Sequence, residues 1–348
     1  MSLAGIYRIL MLSACLSFAP ARPGGGRSFT AFQGKDTNNV TVDRITGDML
    51  KSGLTTVFLP FMYIIIFALG LPSNAMAIWV MVFRAKKIHP AAIYMGNLAL
   101  ADLMFVILTP LKITYHLKGN NWTFGETMCK VMVGFFYGNM YCSILFIMCL
   151  SVQRYWVCAH PLSHQRKNNK LAVILSVCIW IFILVSSTPL YLYQQTVYLP
   201  DLNITTCHDV NSITKENQVF QDVKKPFYYF MVMAGLVFFI PMIIIIVAYV
   251  LLLRSLGNSA PGKRRQRAVF LIITVLITFL VCFIPSNVMV VVHYTLLAKG
   301  WTNNGYSSYI PVLCLASLNS CLDPFIYYYV SEEFREHVKN TLRCHSKQ

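Results

Sequence analysis

The sequence predicts an all-α membrane protein, a bundle of seven transmembrane helices. Of the 348 residues, 56% are hydrophobic and only 12% are charged, whereas soluble domains carry about a quarter charged residues. Such a composition excludes a disordered chain, a collagen and a small disulfide-rich scaffold. Seven apolar segments exceed the roughly 20 residues that a spanning helix needs: 54–83, 91–117, 131–157, 171–193, 227–253, 268–297 and 306–330.

The net charge of +16 indicates the orientation of the chain. In a soluble protein such an excess would suggest nucleic acid as a partner. Here the basic residues form short runs beside the apolar segments, as cytoplasmic loops do, so we expect membrane lipid around the bundle and no nucleic acid. The amino terminus is predicted outside. The runs are Arg84, Lys86 and Lys87; Arg166, Lys167 and Lys170; Lys263, Arg264, Arg265 and Arg267; and Arg335, Lys339 and Arg343.

The residues before the first span divide into two predicted parts. Residues 1–21 combine an early cation, Arg8, with an apolar stretch and small residues at Ala19 and Ala21, which is typical of a secretory signal peptide. The alternative, an extra membrane helix, would need about twice as many apolar residues. Residues 22–53 are polar and Gly-rich without apolar periodicity, and predict a flexible extracellular tail.

Two kinds of outer modification follow from this topology. Asn39 and Asn203 begin glycosylation sequons, and both lie on the predicted outer side. Cys129 and Cys207 are the cysteines of the oxidising outer layer, so we predict that they are bridged. Of the others, Cys15 falls in the signal peptide, Cys158 and Cys344 lie on the inner side, and six fall within spans: Cys142, Cys149, Cys178, Cys282, Cys314 and Cys321.

Residues 331–348, after the last span, are basic and amphipathic and predict a short helix followed by a short cytoplasmic tail. Cys344 is either a palmitoylation site or an idle cytosolic thiol. The tail holds few hydroxyl residues, Ser331, Thr341 and Ser346. Arrestin is therefore a less favoured partner of this tail than of a long Ser-rich one.

Two acids lie at membrane depth, Asp102 in the second span and Asp323 in the seventh. Ionisable residues there are costly and mark functional sites. With Asn74, Ser143 and Asn319 at compatible depths, they could hold a small cation or share a proton. The alternative is a hydrogen-bond network that only packs the helices.

Several motifs resemble those of class A G-protein-coupled receptors, over nearly all of residues 54–344. They are Gly70-Leu71-Pro72-Ser73-Asn74, Asp102 in its leucine-alanine run, Gln153-Arg154-Tyr155, Trp180, Phe283-Ile284-Pro285 and Asp323-Pro324-Phe325-Ile326-Tyr327. As a set they are highly specific. Gln153 departs from the usual acid before the arginine, and Phe283 replaces the commoner tryptophan.

The class A resemblance implies roles for these residues. Arg154, Tyr249 and Tyr327 would form an inner switch and Phe283 a toggle beneath the ligand. Pro285 and Pro324, which free backbone groups within their helices, are the predicted points of bending. The implied sodium pocket comprises Asp102, Ser143, Asn319 and Asp323. No other cofactor is expected.

A narrower resemblance is to protease-activated receptors, above all their trypsin-responsive members. It rests on residues 203–210, with the run Cys207-His208-Asp209, and on residues 134–143 and 151–157. This family carries its own agonist in the amino-terminal tail, masked until a protease cuts. The resemblance further implies signalling through heterotrimeric G proteins to phospholipase C and calcium.

The tail offers one suitable cut for trypsin-like serine proteases, which require a basic residue in an accessible, extended chain. Arg27 follows three glycines and precedes Ser28, whereas Arg22 is followed by Pro23. Cuts at Lys35 or beyond would remove the agonist. The predicted tethered ligand is Ser28, Phe29, Thr30, Ala31, Phe32 and Gln33.

Cutting after Arg27 would create a cationic α-amino group on Ser28, with a pKa of about 7.7 to 8.0. Asp209 is the predicted partner of that amine. The remaining ligand-binding candidates are His208 and aromatic residues at the outer helix ends, whose alternative role is that of membrane-interface residues: Tyr63, Tyr115, His116, Tyr294, Tyr306 and Tyr309.

Two other functions remain open at this point. One is a class A receptor for a diffusible peptide, with Arg27 incidental. The other is a transporter, disfavoured because the halves show no detectable repeat and no matching pair of broken helices. An enzyme is not expected, since no nucleophile and base occur at matching depth in the spans.

Overall fold

A computed structural model of the chain describes residues 29–33, 40–42, 44–84, 89–159, 169–192, 194–213, 231–256, 262–298, 306–331, 334–336 and 338. Within these residues, seven helices are long and apolar enough to cross a membrane, which confirms the predicted class. The signal peptide, Arg27, Ser28, Asn39 and Cys344 lie outside the described residues.

The helices follow the predicted apolar segments closely. A short helix, α1 (Arg44–Leu50), precedes the bundle. Span one comprises a π-helical turn (Leu54–Phe58), α2 (Leu59–Trp79) and a second π-helical turn (Val80–Arg84). Spans two, three and four are the single helices α3 (Pro90–Leu117), α4 (Gly125–Ala159) and α5 (Asn169–Leu192). Span five comprises a π-helical turn (Ala234–Phe239) and α6 (Ile240–Leu256); span six comprises α7 (Gly262–Thr278), a π-helical turn (Phe279–Phe283) and α8 (Ile284–Ala298); and span seven comprises α9 (Tyr306–Ser317) and α10 (Asn319–Val330).

Proline explains where the helices widen. Three of the π-helical turns end just before a proline at the second position of the next helix: Pro60, Pro241 and Pro285. Proline has no N–H and its ring crowds the carbonyl four residues earlier, so the preceding turn loosens. The positions of these π-helical turns therefore follow from the positions of the prolines in the sequence.

Span seven is interrupted at Leu318, between α9 and α10. Pro324 inside α10 cannot bond the carbonyl of Ser320, four residues earlier. The side-chain amide of Asn74 in span one donates to that carbonyl at 2.8 Å. A polar group of a neighbouring helix thus satisfies a backbone acceptor that would otherwise be unpaired in the membrane.

The second outer loop folds over the bundle as a hairpin. Strands β3 (Thr196–Leu199) and β4 (Ile204–Cys207) pair antiparallel, with Thr196 opposite Cys207. The predicted disulfide between Cys129 and Cys207 is present, with the Cα atoms 5.8 Å apart. It ties the end of β4 to the outer end of span three.

Part of the amino-terminal tail is folded, so the expectation of a flexible chain is wrong for its described residues. Strands β1 (Phe29–Gln33) and β2 (Val40–Val42) pair antiparallel. Strand β1 also pairs in parallel with β5 (Val210–Ile213) of the second outer loop. Polar composition did not predict these strands because backbone hydrogen bonds, and not apolar periodicity, define them.

The inner carboxyl end is described only in part. Residues 334–336 and 338 are helical, Phe334 is buried, and its backbone N–H donates to the Ser331 hydroxyl at 3.1 Å. A serine in this position caps the start of a helix. The remainder of the predicted amphipathic helix lies outside the described residues.

Candidate functional site

Asp209 occupies the outer mouth of the bundle, which we define as the outer helix ends together with the second outer loop. It is only 7% exposed, and its Oδ2 accepts a hydrogen bond from the Tyr115 hydroxyl at 2.5 Å. Asp209 is therefore not a solvated loop acid. The disulfide two residues earlier and the contact to span two hold the carboxylate in place.

Two further predicted residues adjoin this contact. The rings of Tyr63 and His116 stack with centroids 5.9 Å apart, and His116 lies 5.0 Å from the Tyr115 ring. His116 Nδ1 lies 2.7 Å from the side-chain oxygen of Asn120, whereas its Nε2 is buried without a hydrogen-bonding partner in the described part of the chain. The structure thus brings Tyr63, Tyr115, His116 and Asp209 together; their role in ligand binding stays a prediction.

Asn120 links this cluster to the root of the tail, which sequence reasoning missed. Its side-chain amide donates to the carbonyl of Leu50 at 2.6 Å, and Leu50, at the end of α1, is buried. The backbone of Asn120 adopts a positive φ of 62°, a conformation that asparagine tolerates better than most residues. The Gly119-Asn120 dipeptide is the sequence feature that could have indicated a turn at this position.

His208 is anchored on both sides of its ring. Its Nδ1 lies 2.7 Å from Gln195 Oε1 and its Nε2 lies 3.2 Å from the Tyr137 hydroxyl. Glu126, at the start of span three, accepts from the backbone N–H groups of Gln195 and Thr196 at 2.8 Å each. These contacts fix the hairpin that carries Asp209.

A small cavity lies beneath the second outer loop, with a volume of about 30 Å³. An apolar cavity of about 150 Å³ binds benzene, so this cavity is much smaller than one known to take an aromatic ring. The lining residues include Tyr63, Phe105, Met132, Phe136, Tyr137 and His208.

Lys112 also lines this cavity and was missed from the sequence. A lysine inside an apolar segment is itself the signal that could have found it. Positions 294, 306 and 309 fall on α8 and α9, but the side chains of these predicted ligand-binding tyrosines, Tyr294, Tyr306 and Tyr309, are not among those described.

A polar cluster occupies the centre of the bundle around Asp102. This fully buried carboxylate accepts hydrogen bonds from Asn139 at 2.8 Å and from Ser320 at 3.0 Å. The Tyr327 hydroxyl lies 3.3 Å from Asp102 and 3.3 Å from the side-chain oxygen of Asn74. Asn139 and Ser320 were not among the predicted residues.

Asp323 and Asn319 leave unpaired oxygen atoms in the same core. Both carboxylate oxygens of Asp323 and the amide oxygen of Asn319 are buried without a hydrogen-bonding partner among the described residues. The Asn319 amide donates to the Ser143 hydroxyl at 3.0 Å. Unpaired hard oxygens fit a small cation. No described group of three or more His, Cys, Asp or Glu side chains could hold a metal, so neutral oxygens would complete the site.

The implied inner switch is divided among three separate contacts. Arg154 donates from Nη2 to the backbone carbonyl of Val330, at the inner end of span seven. The Tyr249 hydroxyl accepts from Ser151 at 2.9 Å, while Tyr327 is engaged with Asp102. Gln153 supplies no acid, and a carbonyl of the last helical turn, which has no partner within its own helix, takes the place of an acidic partner for the guanidinium group.

Phe283, the implied toggle, is fully buried in span six. Its ring meets that of Phe279 edge to face, with centroids 5.2 Å apart. The Phe283 carbonyl accepts from the Ser286 hydroxyl at 3.0 Å and from the Asn287 amide at 2.9 Å. Pro285 thus lies in a segment whose backbone is supported by neighbouring side chains.

The fold and this arrangement of buried polar residues define a class of protein. Residues 73–327 match the family of seven-transmembrane receptors of the rhodopsin type. The chain belongs to this family, within its proteinase-activated receptors, and is therefore a multi-pass membrane receptor and not an enzyme.

The chain is similar over most of its length to several proteinase-activated receptors. The chain is 53% identical over 310 residues to Proteinase-activated receptor 2 of Mus musculus, covering 88% of this chain and 76% of that protein. It is 48% identical over 358 residues to the Bos taurus receptor of the same name, covering 99% and 89%. Identity to Proteinase-activated receptor 3 of Homo sapiens is 36% over 299 residues, covering 86% and 78%.

Proposed function

We propose that an extracellular trypsin-like serine protease cuts this receptor after Arg27 and so exposes a tethered agonist, Ser28 to Gln33. The buried carboxylate of Asp209 at the outer mouth is the observation that best supports the proposal. Similarity to receptors named as proteinase-activated supports it independently.

Cleavage acts as a charge switch. In the uncut chain the nitrogen of Ser28 is a neutral amide, and after the cut it is an amine with a pKa of about 7.7 to 8.0, largely cationic at neutral pH. An amine paired with a partly desolvated carboxylate forms a strong, charge-assisted hydrogen bond. Because the ligand stays attached, its effective concentration is on the order of millimolar, and a weak hexapeptide suffices.

The ligand activates the receptor by favouring an open inner side. It must bind the open state better than the closed one, and the cavity beneath the second outer loop is much smaller than one known to take an aromatic ring. Bending at Pro285 and Pro324 would separate Arg154 from the Val330 carbonyl and admit a heterotrimeric G protein. Phospholipase C activation and calcium release follow.

Sodium is the proposed ion of the central core. Asp102 and Asp323, with oxygens of Ser143 and Asn319, would hold it, and its charge would offset the two carboxylates. The alternative is a proton shared between the two acids. The unpaired oxygens of Asp323 and Asn319 support an occupant of either kind.

Fewer observations support arrestin binding to the carboxyl-terminal tail, or a lipid anchor at Cys344, than support G-protein signalling. The hydroxyl of Ser331 is buried and caps the following residues, so it is a poor phosphorylation site. Thr341, Ser346 and the palmitoylation candidate Cys344 lie outside the described residues.

The decisive variant is Arg27→Ala. Cells expressing the wild-type receptor should release calcium on brief trypsin treatment, and the variant should not, while both respond to added Ser-Phe-Thr-Ala-Phe-Gln peptide. Amino-terminal sequencing of the treated receptor should show a new terminus at Ser28. Equal trypsin responses in both receptors would instead favour a diffusible-peptide receptor, and charge movement without G protein would favour a transporter.

A further inference from the structure

Four residues of the predicted agonist, Phe29 to Phe32, already pair with the second outer loop in the uncut chain. Strand β1 begins at Phe29 and pairs in parallel with β5, with Phe29 opposite Val210 and Phe32 opposite Ile213. Its other edge pairs antiparallel with β2, so the sheet order is β2-β1-β5. The backbone of the predicted ligand is thus the central strand of a three-stranded sheet.

The strand that receives it is anchored to the bundle. β5 begins directly after Asp209, whose carboxylate bonds Tyr115. Three residues before β5, Cys207 is bridged to Cys129, and Glu126 holds the start of the hairpin. The edge of β5 is therefore a fixed surface.

The register has a chemical consequence. Phe29 is opposite Val210, and these two residues directly follow Ser28 and Asp209 in the sequence. In a parallel pair, residues in register share a face of the sheet. The nitrogen that becomes an amine on cleavage belongs to the residue just before β1 in the sequence, and the carboxylate proposed to bind it belongs to the residue just before β5.

We propose that residues 210–213 are the docking strand for the agonist backbone, occupied before cleavage and kept afterwards. This inference rests on the proposed function. The ligand binds by strand addition, in which main-chain hydrogen bonds provide affinity and side-chain pockets provide specificity. Cleavage then acts locally: it creates the charge beside Asp209, and the segment does not have to search for its site.

Docking also shortens the tether. Ser28 lies 26 residues before Leu54, and a free chain of that length has a root-mean-square span of about 28 Å. In the folded chain, residues 34–39 join β1 to β2. The end of α1 is held by the hydrogen bond from the Asn120 side chain to the Leu50 carbonyl. Most of the entropy of closing the loop is therefore lost when the receptor folds, before any protease acts.

A designed disulfide tests the register. Ala31 is opposite Ser212, and neighbouring strands lie about 4.8 Å apart, within the Cα separation that a disulfide accepts. Full-length receptor carrying Ala31→Cys and Ser212→Cys, with Arg27→Ala to keep it uncut, should show no more labelling by a membrane-impermeant maleimide than the Arg27→Ala receptor alone. After reduction it should gain more labelling than that receptor, in which reduction opens only Cys129–Cys207 on the outer side. Each single-cysteine variant should label, which shows that both positions are accessible at the surface.

The matched control is Phe32→Cys with Ser212→Cys, one residue out of register and on opposite faces of the sheet. It should stay labelled. Equal loss of labelling in both pairs, or full labelling of both, would overturn the docking. This result needs no activation, so it is independent of whether trypsin activates the wild type.

A second readout tests whether docking persists. With Arg27 intact, the Ala31→Cys and Ser212→Cys receptor should give a trypsin response like that of the wild type, with or without prior reduction. A response that appears only after reduction would mean that the agonist must leave β5, and would overturn the persistence. Failure of the wild type to respond would instead overturn the proposed function.

Discussion

At the outer mouth, the environment of Asp209 suits the amine partner that we propose for it. The carboxylate is largely removed from water and bonds Tyr115. A buried carboxylate interacts more strongly with a cation than an exposed one, because the local dielectric is lower. Tyr63 stacks on His116, which adjoins the ring of Tyr115, so an amine bound at Asp209 would lie near aromatic rings.

We expect Asp209→Asn to lower the potency of the free hexapeptide Ser-Phe-Thr-Ala-Phe-Gln by about 30-fold or more, because removing one member of a desolvated charge pair costs about 2–5 kcal/mol. Calcium release as a function of peptide concentration measures the change. Surface expression of the variant should be checked in parallel.

The acetylated peptide supplies the control. Acetylation removes the positive charge, so it should weaken the peptide at the wild type and have little further effect at Asp209→Asn, as expected for two groups that interact directly. If acetylation costs the same at both receptors, Asp209 does not bind the amine.

Among the helices, spans six and seven are joined at their inner halves by an aromatic pair. The rings of Phe270 and Tyr329 stack with centroids 5.6 Å apart and planes 8° from parallel. Arg154 contacts the end of the same span through the Val330 carbonyl. We expect both contacts to favour a closed inner side.

We expect Phe270→Ala to raise agonist-independent signalling. An aromatic pair contributes about 0.5–1.5 kcal/mol beyond its buried area, which corresponds to about a 2- to 13-fold higher ratio of open to closed receptor if the pair forms only in the closed state. Inositol phosphate accumulation without protease or peptide measures this ratio.

Ile273→Ala is the matched control, since Ile273 lies one turn further along and is 45% exposed, against 43% for Phe270. Tyr329→Ala should act like Phe270→Ala, and the double variant should add little. An equal effect of Ile273→Ala, or strict additivity of the two aromatic changes, would show that the stack does not hold the closed state.

For the molecule as a whole, the central polar core couples four spans. Asp102 of span two bonds Asn139 of span three and Ser320 of span seven, while Tyr327 of span seven reaches Asn74 of span one. An ion bound only by this arrangement would stabilise it by mass action. The unpaired oxygens of Asp323 mark the position where it would act.

We expect sodium to raise the thermal unfolding temperature of the purified receptor relative to choline at equal ionic strength. Above its dissociation constant, each tenfold rise in sodium should contribute about 1.4 kcal/mol. Asp323→Asn should abolish the sodium-specific shift. A shift that persists in Asp323→Asn, or no shift in the wild type, would contradict a sodium site and favour the shared proton.

Much of the candidate site could be predicted from the sequence, because the residue types that indicate it are recognisable from their immediate sequence neighbours. Asp102 and Asp323 were recognised as charged residues within apolar runs. Cys129 and Cys207 were recognised as the cysteines of the outer layer, and the predicted disulfide between them is present. Asn139 and Ser320 were missed because a single Asn or Ser in a span has many possible partners. Their selection depends on how the helices rotate against one another.

The sequence by itself determined the seven spans, the predicted orientation and the places where proline loosens a helix, since hydrophobicity, charge and the missing proline N–H act residue by residue along the chain. Only the tertiary structure decided that the tail forms strands, that Asn120 secures Leu50, and that Arg154 meets the Val330 carbonyl. These contacts join residues far apart in sequence through backbone groups, which every residue carries and no composition reveals.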